Sequence, residues 1–205
     1  MRKTVSNCLN LLIGGLVLWV WLSSVFRPGR HGALSVEGLQ SLRYFTVLSN
    51  LLEGGVCLAC LCGARVRRWK YISAVSVALT FFVVLLLLGP AYGYDSMYVG
   101  ANLWFHLVLP VLAMLNFLIV DREGTFSLRD SLFTLIPMLA YSLFYVGNLL
   151  VNGVRDNDWY GFAKHGPQSA VAAFLIILGL NWIIALLMRL PRQRPARHAH
   201  RWPAH

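Results

Sequence analysis

Two short polar patterns inside apolar stretches are the residues of this chain best suited to chemistry. In RYFTVLSNLLEGGVCLACLC, Thr46, Asn50 and Glu53 are spaced i, i+4, i+7, so one helix face carries all three. In ANLWFHLVLPVLAMLNF, Asn102 and His106 are spaced i, i+4. A Thr hydroxyl is a poor nucleophile until a base takes its proton, and a neutral imidazole is such a base. Thr46 and His106 therefore read as a catalytic pair that attacks an acyl carbonyl. Asn50, Asn102 or Asn148 would orient the imidazole or polarise that carbonyl. Glu53 is grouped with these orienting or substrate-binding residues, although helix rise puts it about 10 Å below Thr46. That depth makes it a poor third member of a triad; Asp95, Asp156 and Asp158 remain alternatives. Glu53 is either neutral or paired with a basic group. The same residues also fit a plainer role. A helix Thr can bond its own preceding carbonyl, and Asn and His serve as glue between membrane helices.

The elements that must position these residues are membrane helices. The chain has 205 residues, 58% hydrophobic and 13% charged, about half the charge of a soluble domain. Six apolar stretches, at 7–26, 43–62, 70–89, 101–120, 132–151 and 170–189, have the roughly 20 residues needed to cross ~30 Å of hydrocarbon. The expected fold is all-α: a polytopic membrane protein with six transmembrane helices in one bundle. Residues 1–190 form the bundle, and 191–205 form a basic, His-containing tail expected to be disordered on the lipid surface. The first stretch reads as a retained span, because no small-residue cleavage pattern follows it.

The net charge of +10 would suggest nucleic acid in a soluble protein; here its distribution argues against that partner. With the N-terminus inside, thirteen of the eighteen Lys and Arg fall on inner segments and five on outer ones. That bias places both termini in the cytoplasm, and the protein in the cell membrane with lipids as its partners. In that orientation Thr46 and His106 lie roughly 5–8 Å below the outer boundary, level with each other. Asn148 reaches a similar depth from the fifth span. A site there would suit a lipid ester. Cys57 and Cys60 form a C-x-x-C, but inside an apolar helix Cys is a small hydrophobe. No metal or cofactor is expected.

At these residues the chain resembles a known group. The segment Arg43 to Leu52 resembles the YFT-x-x-SNLL stretch of bacterial six-span Pr6Pr-type membrane proteins. The segment Asn102 to Pro110 resembles their N-x-x-x-H-x-x-x-P stretch. DNDWYGF (Asp156 to Phe162) is a third, shorter point of likeness. Both main segments are also similar to the androgen-induced and androgen-dependent TFPI-regulating membrane proteins. Those are intramembrane threonine hydrolases of fatty acid esters of hydroxy fatty acids. The resemblance implies Thr46 as nucleophile and His106 as base. Against this stand a non-catalytic lipid-binding or transport protein, with the polar stripes lining a ligand cavity, and a structural membrane subunit.

Overall fold

A computed structural model describes residues 2–26, 38–121 and 124–193. Among these the chain is helical, with no strand. Six helices carry the fold: α1 (Arg2–Phe26), α2 (Phe45–Leu61), α3 (Arg67–Tyr92), α4 (Ala101–Val120), α5 (Leu128–Asn152) and α6 (Pro167–Arg189). A helical turn at Tyr94–Met97 lies between α3 and α4, and 3-10 turns at Gly38–Arg43 and Leu190–Arg192 precede α2 and follow α6. Five helices, all but α2, are long and apolar enough to cross a membrane. The 17 residues of α2 give only about 26 Å of rise. Large apolar side chains on the outer faces of α1, α5 and α6 are exposed, among them Trp19, Leu143, Leu150, Leu175 and Ile176. Such faces are what lipid would cover.

α3 is the central helix. Its residues from Lys70 through Thr80 are all buried, and it packs on α2, α4, α5 and α6. A helix buried all round needs neighbours on every side. Polar bonds tie those neighbours together. Ser49 and Thr80 hydroxyls meet at 2.9 Å between α2 and α3, and Tyr71 Oη donates to the Ala185 carbonyl at 2.5 Å between α3 and α6. Asn116 Nδ2 donates to Asn10 Oδ1 at 2.8 Å, and Asn181 Nδ2 to the Thr134 carbonyl at 2.9 Å. These are interhelical bonds of the kind that hold membrane helices together.

Three π-helical segments interrupt the long helices, at Val84–Leu88, Trp104–Val108 and Asn116–Val120. The first two precede prolines. In α3 the Gly89 N–H bonds the Val84 carbonyl. The Leu85 carbonyl would next need the N–H of residue 90, which is Pro90 and has none. Tyr94 Oη donates to it instead, at 2.9 Å. The Tyr94 ring can lie there because a Cβ on Gly89 would fall 2.3 Å from it. In α4 the Leu109 N–H bonds the Trp104 carbonyl, so the Phe105 carbonyl faces Pro110. Asn50 Nδ2 fills it at 3.1 Å. In the third segment the Phe117 carbonyl takes Arg192 Nη2.

Arg192 corrects one expectation. It belongs to the segment 191–205 assigned to a loose tail, yet it is buried in the bundle, donates to the Phe117 and Asp121 carbonyls and stacks 4.1 Å from the Phe117 ring centre. Desolvating a guanidinium requires such partners. Residues 194–205 and the first half of the α1–α2 connection, 27–37, lie outside the described residues.

α1 and α2 approach through glycine. A Cβ on Gly54 would fall 2.9 Å from Val17 side-chain carbons, whereas one on the neighbouring Gly55 would meet nothing within 4 Å. Gly54→Ala is therefore expected to cost about 1–3 kcal/mol through overpacking. Gly55→Ala should be neutral, or stabilising by up to about 1 kcal/mol. Thermal unfolding of the two purified variants checks the pair; equal midpoints would contradict the close approach.

Candidate functional site

Thr46 is the second residue of α2 and is buried. This position decides the environment of its hydroxyl. A Thr deeper in a helix would turn to the carbonyl three or four residues back. Here the carbonyl three back is that of Arg43, and it already accepts from Tyr141 Oη at 2.7 Å. The Thr46 hydroxyl instead shares a cavity wall with Tyr160. Its own carbonyl accepts from Ser49 Oγ at 3.1 Å and from Asn50 Nδ2 at 2.8 Å.

His106 lies in the π-helical turn of α4 and is also buried. Its Nδ1 lies 2.8 Å from the Met97 carbonyl. A carbonyl only accepts, so in the neutral ring the proton sits on Nδ1 and Nε2 carries the lone pair. A backbone group thus sets the tautomer, the task a carboxylate performs in a Ser-His-Asp triad. Asn102 Nδ2 donates to the Ser96 carbonyl at 3.2 Å. Together the two side chains hold the Tyr94–Met97 turn against the first turns of α4.

Thr46 and His106 line one cavity of about 570 Å³ with Asn102, Ser96, Tyr92 and Tyr160. The α5–α6 loop supplies a wall, and it is fastened at several points. The Tyr160 carbonyl accepts from Tyr92 Oη at 2.8 Å, its N–H donates to Tyr145 Oη at 3.3 Å, and its phenol oxygen accepts the Phe45 N–H at 3.0 Å. Asp158 accepts from Tyr145 Oη and from the Ala163 N–H, and Trp159 Nε1 donates to Tyr141 Oη at 3.0 Å. Burial pushes the Tyr160 phenol up to about 12, so it keeps its proton at neutral pH and can act as a donor.

The sequence-predicted residues separate into four groups. Thr46, His106 and Asn102 share the cavity. Asn50 stands behind it, fully buried, and bridges α2 to the Phe105 carbonyl beside His106. Glu53 lies deeper, where it accepts from Ser73 Oγ and from Cys57 Sγ, the latter at 3.4 Å. Asn148, expected at the site, stands off the cavity. Its Oδ1 accepts from Asn152 Nδ2 at 2.8 Å along the same helix, and the loop residues Trp159 and Tyr160 take its place in the wall. Asp158 is committed to folding the loop rather than to His106.

Sequence reasoning missed the roles of Tyr160 and of the Met97 carbonyl. The aromatic density of DNDWYGF was a signal for the first. A backbone acceptor leaves no signal in residue types. Cys57 was read as a plain hydrophobe, and it instead donates to Glu53. Among the described residues no group of His, Cys, Asp and Glu forms a metal site.

Comparison of the chain with protein-family models, curated proteins and solved structures finds no match. The tautomer of His106 is directly measurable. Nitrogen-15 NMR of the purified protein should show Nδ1 protonated and Nε2 bare at neutral pH; the opposite tautomer would remove the Met97 bond from the site.

Proposed function

We propose that the chain is an integral membrane protein in which all six helices cross the bilayer, with both termini cytoplasmic and the Thr46–His106 cavity near the outer leaflet. The apolar faces of five helices and the Lys/Arg bias support this reading. α2 is the short span, and its polar face is turned inward among α1, α3 and α4. A C-terminal alkaline phosphatase fusion should be inactive, and a fluorescent protein fused there should fold in the cytoplasm. An active phosphatase fusion would reverse the orientation.

Within that frame the cavity is proposed to hydrolyse lipid esters, of the fatty acid ester of hydroxy fatty acid type. The observation that carries this reading is the joint lining of one cavity by Thr46 and His106, with the imidazole held by Nδ1 so that Nε2 is the basic atom. Nε2 takes the Thr46 proton as the hydroxyl oxygen attacks the ester carbonyl. The tetrahedral intermediate collapses to an acyl-threonine, and the imidazolium gives its proton to the departing alcohol. Water then repeats the sequence and releases the acid. Tyr160, protonated beside Thr46, would donate to the developing oxyanion. The likeness of Arg43 to Leu52 and Asn102 to Pro110 to the intramembrane threonine hydrolases supports the same assignment. The second reading, a lipid-binding or transport protein without catalysis, rests on the same cavity.

Hydrolysis of a long-chain ester by the purified protein separates the two. Thr46→Ala and His106→Ala should each lose at least about a hundredfold in rate. The double variant should be little worse, because partners in one proton transfer fail as a unit. Tyr160→Phe should lower kcat by about a hundredfold. Folded wild type that cleaves no ester across a broad acyl panel, or single variants that stay active, would leave the binding reading.

A further inference from the structure

A second, larger cavity of about 710 Å³ opens at the opposite end of the bundle. It lies where α1 and α3 begin and α2, α4 and α6 end. Five cationic side chains line it: Lys3, Arg65, Arg67, Lys70 and Arg192. One carboxylate, Asp121, accompanies them among the described lining residues, and it is paired with Lys70. An orientation signal needs only solvated charges in loops. Here Lys70 and Arg192 are buried, and the cations converge on a concave space.

Aromatic rings hold two of these cations in place. The guanidinium of Arg67 lies 5.4 Å and that of Arg192 5.7 Å from the centre of the same Phe126 ring. Phe126 is itself stacked on Tyr71 at 4.5 Å. Gly124 makes room for Arg67, since a Cβ there would fall 2.4 Å from its Nη1. Lys3, Arg65 and Arg67 are exposed at the cavity rim, and cations gathered around one concave space attract an anion into it. Among the described lining residues, the single carboxylate does not offset five cations.

We propose that this cavity is an anion site that takes a phosphate group. Arg guanidinium planes offer forked donors that match phosphate oxygens, and Lys3 adds compact positive charge. Two sources share that chemistry: the headgroup of an anionic phospholipid and a soluble phosphate compound. Basic pockets between membrane helices take such headgroups. The site is independent of the ester chemistry at the other end.

The test uses the purified full chain in neutral detergent, with thermal unfolding as the readout. Phosphatidylglycerol is compared with phosphatidylcholine, and inorganic phosphate with sodium chloride at equal ionic strength. Phosphatidylglycerol should raise the midpoint by about 5–10 °C near saturation, and phosphatidylcholine should not. A matching rise with inorganic phosphate would identify a soluble phosphate compound as sufficient; a rise with the lipid alone would identify the headgroup. The variant Arg65→Gln/Arg67→Gln should abolish the rise, and if it fails to fold, Lys3→Gln should reduce it. Arg129→Gln, outside the cavity, should leave it intact. No rise with either ligand over its control, an undiminished rise in the folded cavity variants, or an equal loss in Arg129→Gln would overturn the site.

Discussion

A backbone group inside hydrocarbon must find its hydrogen bond within the protein. The architecture of this chain depends on how it meets that demand where its helices are irregular. Each π-helical segment displaces the regular bonding by one residue and leaves a carbonyl to be filled. Side chains fill all three: Tyr94 on Leu85, Asn50 on Phe105 and Arg192 on Phe117. Two of these carbonyls face a proline and have no backbone alternative in that register. The bonds also set tertiary relations. Tyr94 folds the turn after α3 back onto α3, Asn50 locks α2 to α4, and Arg192 draws the end of α6 onto the end of α4.

The bond from Asn50 matters most for the cavity. It joins α2 four residues after Thr46 to α4 one residue before His106. The two reacting candidates therefore ride on backbones joined by a single buried amide. Widened π turns recur at functional sites because they change the direction of a side chain without ending the helix. His106 lies inside such a turn, and its imidazole reaches back to the Met97 carbonyl. The α5–α6 loop completes the enclosure. The backbone N–H, carbonyl and phenol of Tyr160 are each engaged by a different element. This wall is therefore built into the fold rather than draped over it.

The two ends of the bundle differ in chemical character. At the Thr46 end the cavity is walled by Tyr44, Tyr92, Trp159 and Tyr160, with neutral polar groups between them. At the Arg192 end it is lined by cations on an aromatic floor. Between them Glu53 is held by Ser73 and Cys57, away from both openings.

Much of this architecture was legible in the residues themselves. Burial in lipid demands long apolar runs, so helix number and approximate limits follow from composition along the chain. Helical spacing alone puts Thr46, Asn50 and Glu53 on one face, and all three are buried. That spacing is a local property, set by 3.6 residues per turn. What faces that stripe is not local. Tyr160 reaches Phe45 from 115 residues away, a pairing fixed by how α5, α6 and their loop pack. Asn148, expected in the cavity wall, instead accepts from Asn152 along its own helix. Arg192 sits in the segment expected as a disordered, lipid-surface tail, and an unfilled carbonyl on α4 makes it part of the core. The tautomer of His106 was beyond the reach of sequence, because its partner is a backbone carbonyl that every residue type carries.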